Sequence, residues 1–400
     1  MKYYPKNQIG VGNLVLGKAE KHYLQKVIAS NRLSYGPMSE RFETEFAKLH
    51  DSRYAIFCNS GTSALHVALA ALKERYGWQD GDEVIVPAVT FIATSNIVLH
   101  NGMTPVFVDV DRRTYNIDPA LIESKITSKT RAIIPVHLFG LPCDMGPILK
   151  IAKKYRLKVI EDSCETMFAN YKGKKVGSMG DIACFSTYIA HFIVTGVGGL
   201  ATTNDPELAV MLKSLINHGR DSIYLKISDD QGVGKEKLFE IAAKRFSFVR
   251  LGHSFRCTEL EAAIGLGQLE QREKIIRARK ENAEFFIKKF EPLKDHLQLP
   301  FIPSDRDHMF MLFPIVLRNR PKNELVNYLE ENKIETRDMM PLVNQPIYRR
   351  IFGDIEDQYP VAKRLNASGF YIGCHQGLTK EMRQYMADTV LSFFKKENSR

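Results

Sequence analysis

Between residues 55 and 215 short apolar runs alternate with helical patterns, and no other feature of this sequence restricts the fold as much. Residues 61–76 place Leu65, Leu69 and Leu72 near helical spacing. Helical patterns follow at 92–100, at 119–126 with Pro119 at the start, at 145–155 and at 206–218. Between them, residues 83–87, 105–110, 131–136, 157–162, 181–188 and 199–203 read as strands. Such alternation predicts an α/β fold, a mostly parallel sheet with helices on both faces. Sites in sheets of this kind lie beyond the carboxyl ends of the strands. From 257 to 290 one long helical pattern runs through Leu260, Ile264, Leu269 and Ile275. A domain change is therefore expected near 250. Residues 1–250 form a large α/β domain with an N-terminal arm, and residues 251–400 a smaller α+β domain.

Composition narrows the function classes. With 44% hydrophobic and 26% charged residues, the chain is of globular type rather than disordered, collagen-like or coiled-coil. No apolar run reaches the roughly 18 residues of a membrane span, so no membrane partner is expected. The first residues carry no apolar leader segment, which points to the cytoplasm. The net charge of +10 suits phosphorylated small molecules. Its lysines and arginines are scattered, without the aromatic motifs of RNA binders, so no nucleic-acid partner is expected. Six widely spaced cysteines (58, 143, 164, 184, 257 and 374) form no C-x-C or C-x-x-C pair. They read as reduced thiols, and no metal site is expected.

Three segments carry chemistry. The run Cys58-Asn59-Ser60-Gly61-Thr62-Ser63-Ala64 opens a helix. Small residues there let backbone amides approach an anion, although Ser60 or Thr62 also suits an ordinary N-cap. Val159-Ile160-Glu161-Asp162-Ser163 is an apolar strand ending in two carboxylates. A carboxylate so placed can hold a pyridinium nitrogen protonated, or can cap a helix or loop. The segment from Gly180 to His191 ends a strand and precedes Gly196-Val197-Gly198-Gly199. Taken alone, His191 reads as a packing histidine.

Order and spacing add a resemblance. Gly61-Thr62-Ser63, Phe91-Ile92-Ala93-Thr94, Glu161-Asp162, Phe185-Ser186, Gly198-Gly199, Asn217-His218-Gly219, the stretch Thr258 to Gly265, Glu335-Thr336-Arg337 and Gly377-Leu378-Thr379 stand in register over most of the chain. Together they resemble the DegT/DnrJ/EryC1/StrS family of vitamin-B6-dependent sugar aminotransferases. The resemblance implies a fold-type-I transferase with a seven-stranded-type sheet, working as a homodimer. It implies that Gly61, Thr62, Ser63 and Ser186 hold the phosphate of pyridoxal 5′-phosphate (PLP) or pyridoxamine 5′-phosphate (PMP). Phe91 would stack on the ring, and Asp162 would pair with the ring nitrogen. Glu165 would lie near the ring hydroxyl, where the family usually has Gln. Ser254 stands where the family's Asn reaches the partner subunit's phosphate. His218 and Arg337 would face substrate, Arg337 at a nucleotide phosphate; His253 and His375 read as packing or surface histidines.

One departure decides the expected chemistry. Five residues after Ser186, where family aminotransferases carry the cofactor lysine, this chain has His191. An imidazole cannot hold the cofactor covalently, but it can move protons near neutral pH. The same change marks the family's 3-dehydratase branch, such as GDP-4-keto-6-deoxymannose 3-dehydratase. Without a C-x-C element, the chain resembles the members that lack an iron–sulfur cluster. The expectation is a PLP/PMP-dependent dehydratase with noncovalent cofactor. It would remove the C3 hydroxyl of a 4-keto-6-deoxy (nucleotide) sugar, with His191 as acid/base and glutamate as amino donor. The alternatives are a sugar aminotransferase of the same family and a non-catalytic B6-binding regulator.

Overall fold

The structure, a computed structural model, describes residues 3–222 and 231–397. The first sheet uses β1 (Tyr54–Cys58), β2 (Glu83–Pro87), β3 (Thr104–Val108), β4 (Thr130–Ile133) and β5 (Lys158–Asp162). A two-stranded hairpin of β6 (Asn170–Tyr171) and β7 (Lys174–Lys175) intervenes before β8 (Ile182–Ser186) and β9 (Gly199–Thr203) close the sheet. The seven strands lie in the order β1-β9-β8-β5-β4-β2-β3. β9 runs antiparallel to both neighbours, and the remaining pairs are parallel. Topology explains the exception. Parallel neighbours need a crossover of a dozen or more residues, usually a helix. The loop from 187 to 198 carries no helix and returns directly, so β9 must run backwards.

The helix Gly61–Tyr76 packs its predicted stripe on this sheet, where Leu65, Leu69 and Leu72 are buried. Helices also form at Ile92–His100 and Met145–Tyr155 as the apolar spacing predicts. The pattern at 206–218 stops at Leu215, and His218 takes a left-handed φ of 60°. That at 119–126 shortens to Pro119–Ile122 followed by one tight turn, Glu123–Lys125.

The single pattern from 257 to 290 is two helices, Glu259–Glu270 and Arg272–Phe290. The first begins at a capping box of Thr258 and Glu261. It lies on helices Lys18–Ser30 and Pro37–Leu49, which the apolar spacing did not announce. A side chain at Gly265 would meet the Phe42 ring at 2.7 Å, and one at Gly267 the Glu20 main chain at 2.7 Å. Only glycine permits that approach. The apolar spacing carries on across the break, which is why it reads as one helix.

The second sheet joins β10 (Leu297–Gln298), β11 (Leu312–Leu317), β12 (Thr336–Asp338) and β13 (Gly369–Gly373) in the antiparallel order β10-β11-β13-β12. Its core holds Phe286, Phe290, Phe313, Phe370 and Met386. Ile9 from the N-terminal arm joins that core and bridges Ile334, whereas Ala262, Ala263 and Leu266 pack into the first. The two units thus share elements across the cavity between them. No described helix is long and apolar enough to cross a membrane, and the described residues offer no metal-ligating cluster. All six cysteines are free thiols.

Candidate active site

A cavity of about 630 Å³ opens beyond the carboxyl ends of β5 and β8. Gly61, Thr62, Phe91, Asp162, Glu165, Ser186, His191 and Arg337 all line it. Met311 and Tyr371 of the second unit and Gly12 of the arm close the opposite side.

One wall is the start of the helix Gly61–Tyr76. Its first amides have no partner within the helix and carry the positive end of its dipole. Ser60 caps it, accepting from the Ser63 N–H at 3.0 Å. Ser63 Oγ donates to Asn59 Oδ1 at 2.6 Å, so this hydroxyl is engaged in the cap and does not line the cavity. A Cβ on Gly61 would come within 2.8 Å of Ser186 Cβ and 2.9 Å of Cys164 Sγ. A Cβ on Gly199 would meet the Gly61 nitrogen at 2.4 Å. The two glycines let the helix start against β8 and β9.

Strand alternation separates the two carboxylates of β5. Glu161 accepts from the amides of Gly177, Met179 and Gly180 at 3.0, 2.7 and 2.6 Å, and faces His137 Nε2 at 3.2 Å. Burial pushes Glu161 up, but His137 and these amides outweigh it and hold the carboxyl below its usual range. Asp162 turns the other way, into the cavity. Thr94 Oγ1 donates to Asp162 Oδ2 at 2.7 Å, and the Cys164 N–H to Oδ1 at 3.2 Å. Burial raises its pKa despite those donors. Among the described residues no cation pairs with Asp162. Thr94 stood in the sequence beside Phe91, but nothing in its spacing marked it as the carboxylate's donor.

Glu165 lies one turn on. The Phe139 N–H donates to its Oε2 at 2.9 Å. Burial, with the nearby Asp162 charge, pushes its carboxyl up to about 7. Phe91 precedes the helix Ile92–His100 and leaves its ring 58% exposed at the cavity. Arg337, on β12, is exposed at the mouth and pairs with Glu335.

His191 sits in the loop that joins β8 to β9. Its N–H donates to Tyr188 O at 2.9 Å, and the Thr187 and Thr195 hydroxyls meet across the loop at 2.6 Å. The imidazole Nδ1 is buried with no hydrogen-bond partner. Burial and the charge of Arg279 hold the ring down at about 4, against a main-chain contact to Cys164 that pulls upward. Among the described residues no lysine lines the cavity.

Ser254 and His218 lie outside it, exposed on the same surface. Arg256 Nη2 is 3.4 Å from both Ser254 Oγ and His218 Nε2, and Asn217 bridges Ser254 through the main chain.

The model of the DegT/DnrJ/EryC1/StrS aminotransferase family matches residues 15–391. The chain belongs to this family. A relative from Caulobacter vibrioides named GDP-perosamine synthase is 36% identical over 87% of this chain and 87% of its own length. A relative from Saccharopolyspora spinosa named dTDP-4-dehydro-2,6-dideoxy-D-glucose 3-dehydratase is 31% identical over 96% of this chain and 86% of its own. The solved structure of Escherichia coli GDP-4-keto-6-deoxy-D-mannose-3-dehydratase with bound hydrated PLP superposes with a TM-score of 0.86. It is 28% identical and covers 96% of this chain and 99% of its own. The fold is that of the fold-type-I transferases, and this family member is an enzyme whose cofactor is PLP or PMP.

The cavity fits that cofactor. A helix start with a glycine cradle suits the phosphate. The buried Asp162, lacking a cation, suits the pyridinium nitrogen. His191, which lines the same cavity, keeps a buried Nδ1 without a hydrogen-bond partner.

Proposed function

We propose that this enzyme is a 3-dehydratase of a 4-keto-6-deoxy nucleotide sugar, binding PLP/PMP noncovalently. The observation that carries the reading is His191 at the lysine position, in a cavity that no described lysine lines. Gly61, Thr62 and Ser186 would hold the cofactor phosphate, with Ser63 fixing their helix start. Phe91 would cover the ring. When bound, the cofactor supplies an electron sink and, in its amine form, the nitrogen that condenses with a ketone.

The chain's own residues do the rest. Asp162 would hold a proton at the pyridine nitrogen, with Thr94 fixing the carboxylate. Glu165 would hold a proton beside the ring hydroxyl. His191, neutral at pH 7, would take the proton that is lost from the cofactor's methylene carbon and hand one to the departing C3 hydroxyl. Arg337 would meet the nucleotide phosphate. Ser254 and His218 lie outside the cavity of one chain. In a homodimer they would meet the partner's site, and the exposed Phe91, Tyr188 and Val197 would be covered. The free thiols of all six cysteines fit a reducing compartment such as the cytoplasm.

The overall balance discriminates. A dehydratase converts one keto sugar and one glutamate into a 3-deoxy keto sugar, 2-oxoglutarate and ammonia. A transaminase gives 2-oxoglutarate and leaves the nitrogen on the sugar. The relatives named GDP-perosamine synthase favour this second reading. Incubation of the PMP-loaded protein with glutamate and GDP- or dTDP-linked 4-keto-6-deoxy sugars separates them. Ammonia equal to 2-oxoglutarate, with a product lighter by one oxygen atom, is expected. An amino sugar without ammonia would replace dehydration by transamination.

A further inference from the structure

The fully buried Arg279 has a part that the site chemistry above leaves unexplained. It sits in the helix Arg272–Phe290, with its guanidinium 4.9 Å from the centre of the Phe192 ring. Nη2 donates to the carbonyl of His191 at 2.9 Å and Nη1 to the carbonyl of Met311 at 2.6 Å. Nε finds no partner, and among the described residues no carboxylate pairs with the charge. Burying a guanidinium without a counter-ion is costly. Two carbonyls could be satisfied by a neutral amide, so hydrogen bonding alone does not account for a cation here. Both carbonyls belong to residues that line the cavity, one from each unit.

We propose that Arg279 is the positioning residue of this site: one buried guanidinium pins the His191 loop to Met311 of the second unit and sets a positive charge behind the imidazole. The inference rests on the reading of His191 as acid/base. Burial and then this charge oppose protonation of His191, so the ring is delivered as a base. Other groups lie around the cavity and Arg279. Asp162, Glu165 and Cys164 come from the end of β5, Cys374 and His375 from the end of β13, and Glu335 with Arg337 from the mouth. None of them outweighs burial and Arg279 at His191. His375 is likewise held down, at about 4, by burial and by Arg279.

The test uses histidine-labelled, cofactor-free full-length protein. The His191 resonance is assigned with His191→Asn and titrated by NMR in wild type, Arg279→Gln and Arg279→Lys. Arg279→Gln is expected to raise the His191 midpoint by about one pH unit, roughly tenfold in proton affinity. Arg279→Lys keeps the charge and should leave the midpoint in place, but a single ammonium lacks the fork that holds two carbonyls. With cofactor bound, Arg279→Lys should lower kcat by at least about tenfold with KM for the sugar little changed. Equal midpoints in wild type and Arg279→Gln would overturn the electrostatic part. A wild-type kcat in Arg279→Lys would overturn the positioning part, and this measurement stands even if the glutamine variant does not fold. The titration needs neither cofactor nor substrate, so a wrong sugar or a transaminase activity leaves it readable.

Discussion

Glu165→Gln probes the site through stability as well as chemistry. The carboxyl rises from an ordinary 4.5 to about 7, because burial and Asp162 both disfavour its charge. The sign follows from linkage. An acid whose folded pKa is raised costs stability as pH climbs from 4.5 to 7, since the unfolded chain ionises first. Below 4.5 the cost vanishes; above 7 it is complete. At about 1.36 kcal/mol per pH unit, the cost is roughly 1 kcal/mol at pH 5.5 and roughly 3 kcal/mol at pH 8. Water in the open cavity makes these upper limits. Glutamine keeps the acceptor that the Phe139 N–H needs and removes the ionisation. Urea unfolding of the cofactor-free protein should therefore find Glu165→Gln more stable than wild type, with a gap that widens by up to about 2 kcal/mol between pH 5.5 and pH 8. A gap that is flat or narrows would refute the claim that this environment opposes the charge.

The other predictions concern the cradle, the two strand-end carboxylates and the lysine position. Gly61→Ala forces a methyl to 2.8 Å from Ser186 Cβ, so unfolding should cost about 1–3 kcal/mol less than in wild type and PLP affinity should drop in an absorbance titration; unchanged affinity would sink the cradle. Glu161→Gln places an amide NH₂ among several buried donors and should lose about 3 kcal/mol by urea unfolding, whereas Asp162→Asn should stay near wild-type stability and lose PLP affinity at least about tenfold. The reverse pattern would mean that the two roles are interchanged. His191→Lys should gain covalent cofactor: borohydride reduction of the PLP-loaded variant adds the cofactor's mass, and wild type treated alike gains none. Trapping in wild type would locate a reactive lysine that the cavity does not display.

Much of the first sheet was legible because its strands and helices each carry their own period. Glu83–Pro87 and Gly61–Tyr76 need no partner to be recognised. The break at Gln271 was not legible. Nor was the close contact of Gly265 and Gly267 with Phe42 and Glu20, more than 220 residues away in sequence. β12 escaped because three residues are too few to show a period, and β13 because its run from Gly369 to Gly373 carries only three apolar residues between two glycines. In the site, the residues of Gly61, Asp162 and Ser186 type could be named from motifs at strand ends. What each side chain touches could not. Ser63 looks like a phosphate ligand until Asn59 is seen to take its hydroxyl. Arg279 looks like one more cation in a basic helix until its burial is known. His66 gave no signal at all, yet its Nε2 lies 3.2 Å from that of His253, beside the segment that carries Ser254.

The loop from 187 to 198 shows how one residue can change without disturbing the scaffold. Its contacts are made by the main chain or by neighbours: Tyr188 bridges Gly196, Thr187 meets Thr195, and Arg279 takes the carbonyl of residue 191. A side chain at Gly198 would strike Thr187 Oγ1 at 2.4 Å, so the return into β9 is fixed as well. None of these contacts uses the imidazole. Lysine or histidine at 191 would therefore be presented to the same cavity by the same backbone. Relatives named for transamination and for dehydration both match this chain over more than nine-tenths of its length. On the proposed reading, the identity of residue 191, rather than the fold around it, is the variable on which the reaction turns.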